Sequence, residues 1–249
     1  FLLFFHISMN NLNNFNVFVI NLRRRDERRE FFNKQAESIG LNYQYFEGYD
    51  SALDGFDKAS EILSEYYNKP FYSISKDTKK IVGRIGCLIS HLKLLKYAID
   101  NDLSNIIIME DDVIIKELDF SVTQEDSLIS YLGGKKELYA HGLNHNGYRE
   151  STTPWDVINN YKVWEAGSYI IEGKNKIKLV YNLLLNIKTR PRVLDGMMIK
   201  YIQKYHVCYL LDNGKKFKQN RKLESDVTFI KKETEIEAAT NEMEKIIYK

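Results

Sequence analysis

Three consecutive carboxylates, Glu110, Asp111 and Asp112, are the residues of this 249-residue chain best suited to chemistry. They directly follow Ile106 to Met109, an apolar run typical of a buried strand. In open α/β sheets, ligands bind at the carboxyl ends of the strands. Oxygen ligands suit Mg²⁺ or Mn²⁺, and such an ion can bridge a diphosphate. The triplet therefore indicates a metal site, and a solvated acidic loop is the alternative.

A second candidate site is the turn Asn21-Leu22-Arg23, which ends an apolar, β-branched run. Arginine pairs well with phosphate oxygens, so the base and phosphates of a nucleotide could lie against this turn. The alternative is that Arg23, Arg24 and Arg25 are the exposed start of a helix, and for Arg24 and Arg25 this alternative is favoured.

Three further residues could take part in a reaction. His91 lies on the apolar face of its helix, where a histidine is more often a hydrogen-bonded core residue than a catalyst. Asp195 follows the break at Pro191, so it could cap a helix or serve as a general base. Gln219 belongs to a polar stretch after the last strand and by itself indicates only a loop.

The elements that must position these residues follow an α/β pattern. Asn16 to Leu22 predicts a buried strand, Arg23 to Ile39 a helix that ends at Gly40, and Tyr43 to Glu47 a second strand. Strand, helix and strand in this order indicate a parallel α/β unit. The same patterns predict further helices at 58–67, 83–100, 174–185 and 195–205, and strands at 106–109, 137–141, 168–172 and 207–211.

Composition places the chain among ordinary globular proteins. Apolar residues make up 44% and charged residues 28%, and the net charge of +2 is too small to indicate a nucleic-acid partner. The two cysteines form no CxxC pair, which excludes a disulfide scaffold and provides no zinc signature. The apolar run Phe1 to Phe5 is too short to span a membrane. We therefore predict a protein of the reducing cytoplasm.

Several segments in order resemble glycosyltransferase family 25, which includes bacterial lipooligosaccharide galactosyltransferases and collagen galactosyltransferases. The resemblance is carried by VFVINL, GRIGCLISHLKLL and IIIMEDDV, and continues through Ala166 to Ile171, the turn around Asp195, Gln219 and Glu224 to Val227. It covers roughly residues 16–227. This ordered series is far more specific than the acidic triplet alone.

The resemblance implies an α/β, GT-A-like nucleotide-binding sandwich with a central, mostly parallel sheet. It also implies a UDP-sugar donor, most often UDP-galactose, a divalent cation (Mn²⁺ or Mg²⁺), and inversion at the anomeric carbon. Asp112 would be the leading metal ligand, with Asp111 and Glu110 beside it. The donor would contact Asn21, Leu22, Arg23, Glu110, Asp111 and Gln219, and we assign catalysis to Asp195 and His91.

We expect three segments: an N-terminal extension (1–15), the glycosyltransferase domain (16–230) and a charged C-terminal helix or tail (231–249). The expected acceptor is a saccharide or glycolipid of lipooligosaccharide, lipopolysaccharide or another glycan. A lipid-linked acceptor would bring the enzyme into peripheral contact with the inner face of the membrane. Oligomeric state is left open.

Three alternatives remain at this stage. The acceptor could be a protein hydroxyl such as hydroxylysine. The domain could bind a nucleotide sugar without catalysis. The acids could also serve a metal-dependent phosphotransferase or nucleotidyltransferase, although no Gly-rich phosphate loop supports that class.

Overall fold

A computed structural model describes residues 12, 14–68, 82–116, 125–138, 155–158, 161–165, 167–185, 194–211, 217–220 and 223. The predicted C-terminal segment 231–249 lies outside these residues, as does most of the predicted N-terminal extension 1–15. The motif residues 224–227 also lie outside them.

The described elements alternate between strands and helices. The strands are β1 (Asn16–Asn21), β2 (Gln44–Glu47), β3 (Asn105–Glu110), β4 (Val113–Ile115), β5 (Ile129–Tyr131), β6 (Lys135–Leu138), β7 (Trp155–Val157), β8 (Tyr161–Trp164), β9 (Ser168–Glu172), β10 (Cys208–Leu211) and β11 (Phe217–Gln219). The helices are α1 (Asp26–Ile39), α2 (Ser51–Tyr67), α3 (Val82–Asp100), α4 (Lys174–Leu185) and α5 (Leu194–Met197), which continues as a π-helical segment (Met198–Gln203).

Seven strands form the central sheet in the order β2-β1-β3-β9-β5-β10-β7. β2, β1 and β3 are parallel to one another, β9 is antiparallel to both β3 and β5, β10 is parallel to β5, and β7 is antiparallel to β10. Five strands therefore run one way, and β9 and β7 run the other. The predicted α/β class with a mostly parallel sheet is confirmed. Two small antiparallel ladders, β4 with β11 and β6 with β8, flank the sheet.

The first strand, helix and strand form the predicted parallel unit. Gly40 adopts φ 65°, and its N–H reaches the carbonyls of Ala36 and Glu37, so the helix ends where the glycine predicts. The helix begins at Asp26 rather than Arg23, because a turn that hydrogen-bonds the Arg25 N–H to the Leu22 carbonyl precedes it. Residues 22–25 are therefore a loop at the carboxyl end of β1.

Other boundaries differ from the prediction. α2 begins at Ser51, seven residues early, and bends at Gly55, whose φ is 80°. The helix predicted over 195–205 is α5 followed by the π-helical segment. Five strands of three or four residues were not predicted from the sequence, namely β4, β5, β7, β8 and β11.

β3 is the central strand of two apolar cores, one on each face of the sheet. Ile106 and Ile108 pack with α2, α3 and α4 on one face, and Ile107 and Met109 pack with α1 on the other. All four side chains are fully buried. A strand buried on both faces needs a continuous apolar sequence, which explains the run IIIM before the three acids.

Among the described residues, no helix combines the length and the apolar character that crossing a bilayer requires.

We predict that Ile107→Ala lowers the free energy of unfolding by about 2–5 kcal/mol, because it leaves a cavity beneath α1. Urea denaturation measures this loss. Leu53→Ala is the matched control, since Leu53 is 75% exposed and its truncation should change stability by less than about 0.5 kcal/mol. Equal losses in the two variants would contradict the assigned core.

Candidate active site

A cavity of about 530 Å³ opens where the carboxyl ends of β1 and β3 meet the first half of α3. Its volume is within the range of small-molecule sites. Residues from distant parts of the chain line it together. They include seven of the predicted site residues: Leu22, His91, Glu110, Asp111, Asp112, Asp195 and Gln219.

Two predicted donor contacts, Asn21 and Arg23, are not among the described residues that line this cavity. Asn21 is buried, and its amide nitrogen donates to Asp111 Oδ2 at 2.6 Å. Its side-chain oxygen accepts from Arg29, and Arg29 also donates to the Arg23 carbonyl. Asn21 therefore orients the Asp111 carboxylate through this hydrogen bond.

Asp111 is the acid of the triplet that the protein itself neutralises. Arg28 Nη1 lies 2.8 Å from Asp111 Oδ1, and both side chains are buried. Burial raises the pKa of Asp111, and the opposing charge of Arg28 and the Asn21 hydrogen bond limit that rise. Since both oxygens have protein donors, Asp111 ties the start of α1 to the end of β3.

Asp112 is also buried, but its negative charge is neutralised much less by protein groups than the charge of Asp111 is. Its Oδ2 accepts from Gln219 at 3.1 Å and lies 3.7 Å from Arg28, whereas Oδ1 has no hydrogen-bond partner among the described residues. Burial and the charge of Glu110 raise the pKa of Asp112 to about 7. A buried carboxylate oxygen without a donor suits a cation, so the residues present fit a divalent metal at Asp112.

Glu110 contacts two residues of α3. Its Oε1 lies 3.5 Å from Cys87 Sγ and 3.4 Å from His91 Nε2. Burial raises the pKa of Glu110, but His91 and Cys87 outweigh that effect, and the net direction is downward. A divalent metal in a protein is commonly held by histidine, cysteine and acidic side chains. Within the described part of the chain, one group of three such residues has all its ligand atoms within 4.8 Å of one another, namely Cys87, His91 and Glu110.

The three carboxylates of the triplet thus do not form such a group. That all three bind one metal stays a prediction, and the geometry favours Asp112 among them.

His91 contacts protein groups through both ring nitrogens. Nδ1 lies 2.8 Å from the Tyr169 hydroxyl and Nε2 faces Glu110. The two rings stack at 5.7 Å, and both residues are fully buried. These contacts match a histidine that positions Glu110. Direct participation of His91 in catalysis stays a prediction.

One face of α3 forms a wall of the cavity because its residues are small or polar. Gly86, Cys87, Ser90 and His91 follow each other at helical spacing and all line the cavity. A Cβ at Gly86 would lie 2.9 Å from the Tyr49 carbonyl, so glycine permits close approach there. The Ser90 hydroxyl also accepts from the backbone N–H of Tyr49, which fixes the loop after β2.

A second glycine, Gly167, lies close to Glu110. The Glu110 N–H donates to the Gly167 carbonyl at 2.7 Å. A Cβ at Gly167 would lie only 3.2 Å from Glu110 Oε2. A side chain at this position would press on the carboxylate.

Asp195 lies in the first turn of α5 and faces the cavity. Its Oδ2 accepts from the backbone N–H of Glu165 at 2.9 Å. This contact joins the loop before β9 to α5 and sets the direction of the carboxylate. Asp195 and Asp112 therefore line the same cavity. A general base has to lie in the cavity that binds the substrate, and Asp195 meets this condition.

Several residues that line the cavity were not predicted from the sequence to belong to the site. Arg24 lines the cavity and pairs with Asp50 at 2.5 Å, although it was expected at an exposed helix start. Arg84 also lines it, and so does Trp164, whose buried Nε1 has no partner among the described residues. Arg84 lies within the motif GRIGCLISH, the one signal that could have found it.

The sequence profile of glycosyltransferase family 25, whose description reads "LPS biosynthesis protein", matches residues 14–183, which is more than half of the chain. The chain belongs to glycosyltransferase family 25. The match spans the loop after β1, the cavity-lining face of α3, the acidic triplet and β9. The family model thus includes most of the cavity wall, but not Asp195 or Gln219.

Known relatives share this domain. A "Glycosyltransferase 25 family member" of Drosophila pseudoobscura pseudoobscura is 25% identical over 176 residues, which cover 66% of this chain and 26% of the relative. "Procollagen galactosyltransferase 2" of Mus musculus is 29% identical over 179 residues, 65% of this chain and 27% of the relative. The chain thus spans about a quarter of the length of the curated relatives it matches.

Among solved structures, the chain is similar to a glycosyltransferase involved in the glycosylation of the major capsid of PBCV-1. The TM-score is 0.37 at 8% sequence identity, over 76% of this chain and 75% of that one. The family assignment rests on the sequence profile.

The raised pKa of Asp112 predicts a pH dependence of stability in metal-free buffer. The pKa of an aspartate in the unfolded chain is about 3.9, whereas the pKa of Asp112 in the folded protein is about 7. Between these two pH values, the folded state therefore holds a proton that the unfolded chain has lost. The stabilisation is complete below about pH 4 and is lost as pH rises through the folded value. Compared with Asp112→Asn, the wild-type protein should therefore lose stability over this range.

Urea midpoints measured with EDTA across this pH range test the expectation. Asp57→Asn, which removes an exposed carboxylate, controls for the loss of one negative charge. A stability difference between wild type and Asp112→Asn that does not change with pH would show that Asp112 titrates normally.

Proposed function

We propose that this chain transfers galactose from UDP-galactose to a hydroxyl group of a saccharide or glycolipid, with inversion at the anomeric carbon and with a divalent cation. Membership of the family supports sugar transfer. Galactose is supported by relatives named procollagen galactosyltransferase 2. Because the chain spans only part of those relatives, the donor, the acceptor and the stereochemistry are all part of the proposal.

The observation that carries the proposal is the buried Oδ1 of Asp112, which has no partner within the described part of the chain and lies in a cavity that is also lined by arginine. Asp112, with Gln219 holding its other oxygen, would bind Mn²⁺ or Mg²⁺. Such an ion supplies charge to stabilise the departing diphosphate. Arg84, on the same cavity wall, would bind the phosphate oxygens, for which its planar guanidinium is well shaped.

Asp195 is the proposed general base. The acceptor hydroxyl attacks the anomeric carbon from the side opposite UDP, its proton passes to the Asp195 carboxylate, and the bond to UDP breaks. The Glu165 N–H donates to one oxygen of the Asp195 carboxylate. This hydrogen bond orients the carboxylate toward the cavity. Trp164 offers an apolar face and an indole N–H for a sugar ring.

A protein acceptor is the second candidate. The named galactosyltransferase relatives act on procollagen according to their names, while the family description refers to LPS biosynthesis. Both acceptors present a hydroxyl nucleophile, so the donor half of the site would serve either. For the glycolipid acceptor, we propose action in the cytoplasm at the inner face of the membrane.

We predict that a screen of UDP-sugars with Mn²⁺ detects slow release of UDP, fastest from UDP-galactose. The screen needs no acceptor, since water replaces it. Plain nucleoside triphosphates included in the screen distinguish a phosphotransferase or nucleotidyltransferase, and absence of any UDP release would support a non-catalytic binding domain.

The metal assignment is tested by Asp112→Asn, which keeps the size of the side chain and removes its charge. Titration calorimetry should show Mn²⁺-dependent binding of UDP to the wild-type protein and its loss in the variant. Asp57→Asn should bind as wild type does. Unchanged binding by Asp112→Asn would remove the central residue of the proposal.

The base assignment is tested by Asp195→Asn. The amide oxygen can still accept from the Glu165 N–H, so the variant should bind UDP normally, while acceptor-dependent turnover should fall by roughly 10²–10⁴-fold. Initial rates with the donor and acceptor found in the screen measure this fall. Full activity in this variant would assign the base elsewhere.

A further inference from the structure

Cys87, His91 and Glu110 have no step assigned to them in the proposed transfer reaction, and their ligand atoms lie close enough together to hold a metal ion. Cys87 and His91 are four positions apart on α3, which places them on one face about one turn apart. Glu110 approaches both from the end of β3. All three residues line the cavity, although the His91 side chain itself is buried.

Two of the three separations between ligand atoms match tetrahedral coordination, and the third, between Cys87 and His91, is within 4.8 Å. Zn²⁺ binds sulfur at about 2.3 Å, imidazole nitrogen at about 2.0–2.1 Å and carboxylate oxygen at about 2.0–2.2 Å. Neighbouring ligand atoms in a tetrahedron with these bonds are about 3.4–3.6 Å apart. The observed separations from Glu110 Oε1 are 3.5 Å to Cys87 Sγ and 3.4 Å to His91 Nε2. The second is long for a direct N–H···O hydrogen bond, which is commonly near 2.9 Å.

The surroundings of His91 also suit a ligand. Histidine ligands usually donate their second ring nitrogen to an oxygen atom, which fixes the tautomer and the ring. His91 Nδ1 lies 2.8 Å from the hydroxyl of the fully buried Tyr169. With the proton on Nδ1, the lone pair of Nε2 faces Cys87 and Glu110.

We propose that Cys87, His91 and Glu110 bind a thiophilic divalent cation of the Zn²⁺ class, with the fourth coordination position open to the cavity. Thiolate and imidazole select such ions over Mg²⁺ or Mn²⁺, which prefer oxygen. This site is therefore distinct from the oxygen site at Asp112. Binding releases the thiol proton of Cys87 to solvent and leaves a thiolate on the metal.

The consequence for turnover rests on the proposed function. A cation at this site occupies Glu110 on the wall of the donor cavity and contributes positive charge close to Asp112. Zn²⁺ is therefore expected to inhibit UDP-galactose turnover. The binding experiment below needs no donor or acceptor, so its failure and the failure of the proposed function are distinguishable.

Co²⁺ is the probe, because coordination by a thiolate produces a charge-transfer absorption band that oxygen and nitrogen ligands do not produce. The chain contains two cysteines, and Cys208 is fully buried in β10, which makes Cys208→Ala the matched control. Wild type and Cys208→Ala should show the band with Co²⁺, Cys87→Ala should not, and Zn²⁺ should displace it. Zn²⁺ affinity should fall by more than about 10-fold in Cys87→Ala.

A second measurement guards against misfolded variants. In the Cys208→Ala protein, Zn²⁺ should slow the reaction of Cys87 with a thiol reagent, and EDTA should restore the rate. A folded wild-type protein that shows no thiolate band at saturating Co²⁺, or a band that persists in Cys87→Ala, would overturn the proposal. Cys87 and His91 would then serve only to hold Glu110 by hydrogen bonds.

Discussion

The arrangement of the site depends on the cost of burying carboxylates at the end of a central strand. Asp111 and Asp112 are 3% and 4% exposed, and a buried charge must be paired or it takes up a proton. Arg28 supplies the nearest positive charge, mainly to Asp111. Asp112 has a raised pKa, and its Oδ1 has no hydrogen-bond partner among the described residues. The protein thus compensates Asp111 itself, whereas Asp112 keeps an oxygen that would fit an added cation.

This constraint explains several connections that otherwise look unrelated. α1 must begin close to β3 so that Arg28 reaches Asp111, and Asn21 at the end of β1 completes the contact. β11 returns late in the chain to pair with β4, which brings Gln219 to Asp112. Each connection supplies a donor to a carboxylate that could not be buried without one.

α3 combines packing and chemistry through its two faces. Its large aliphatic residues fill the core over the sheet, while Gly86, Cys87, Ser90 and His91 face the cavity. The chain of contacts from Tyr169 through His91 to Glu110 crosses from the core to the cavity wall. Glu110 therefore has hydrogen-bond partners on α3, whereas Asp112, two positions later, is held by Gln219.

The sequence by itself determined the α/β class, the main helices and strands, the family, and the position of the acids at the end of a buried strand. Those features depend on local periodicity and on ordered motifs, which survive without knowledge of the fold. The tertiary structure decided the partners: Arg28 rather than Arg23 beside the acids, Arg84 and Trp164 in the cavity, and Glu110 with Cys87 and His91. Such contacts join residues far apart in the chain, and side-chain direction after a strand depends on packing that no local pattern records. The short strands escaped for a related reason, since three or four residues are held by their neighbours in the sheet rather than by their own sequence.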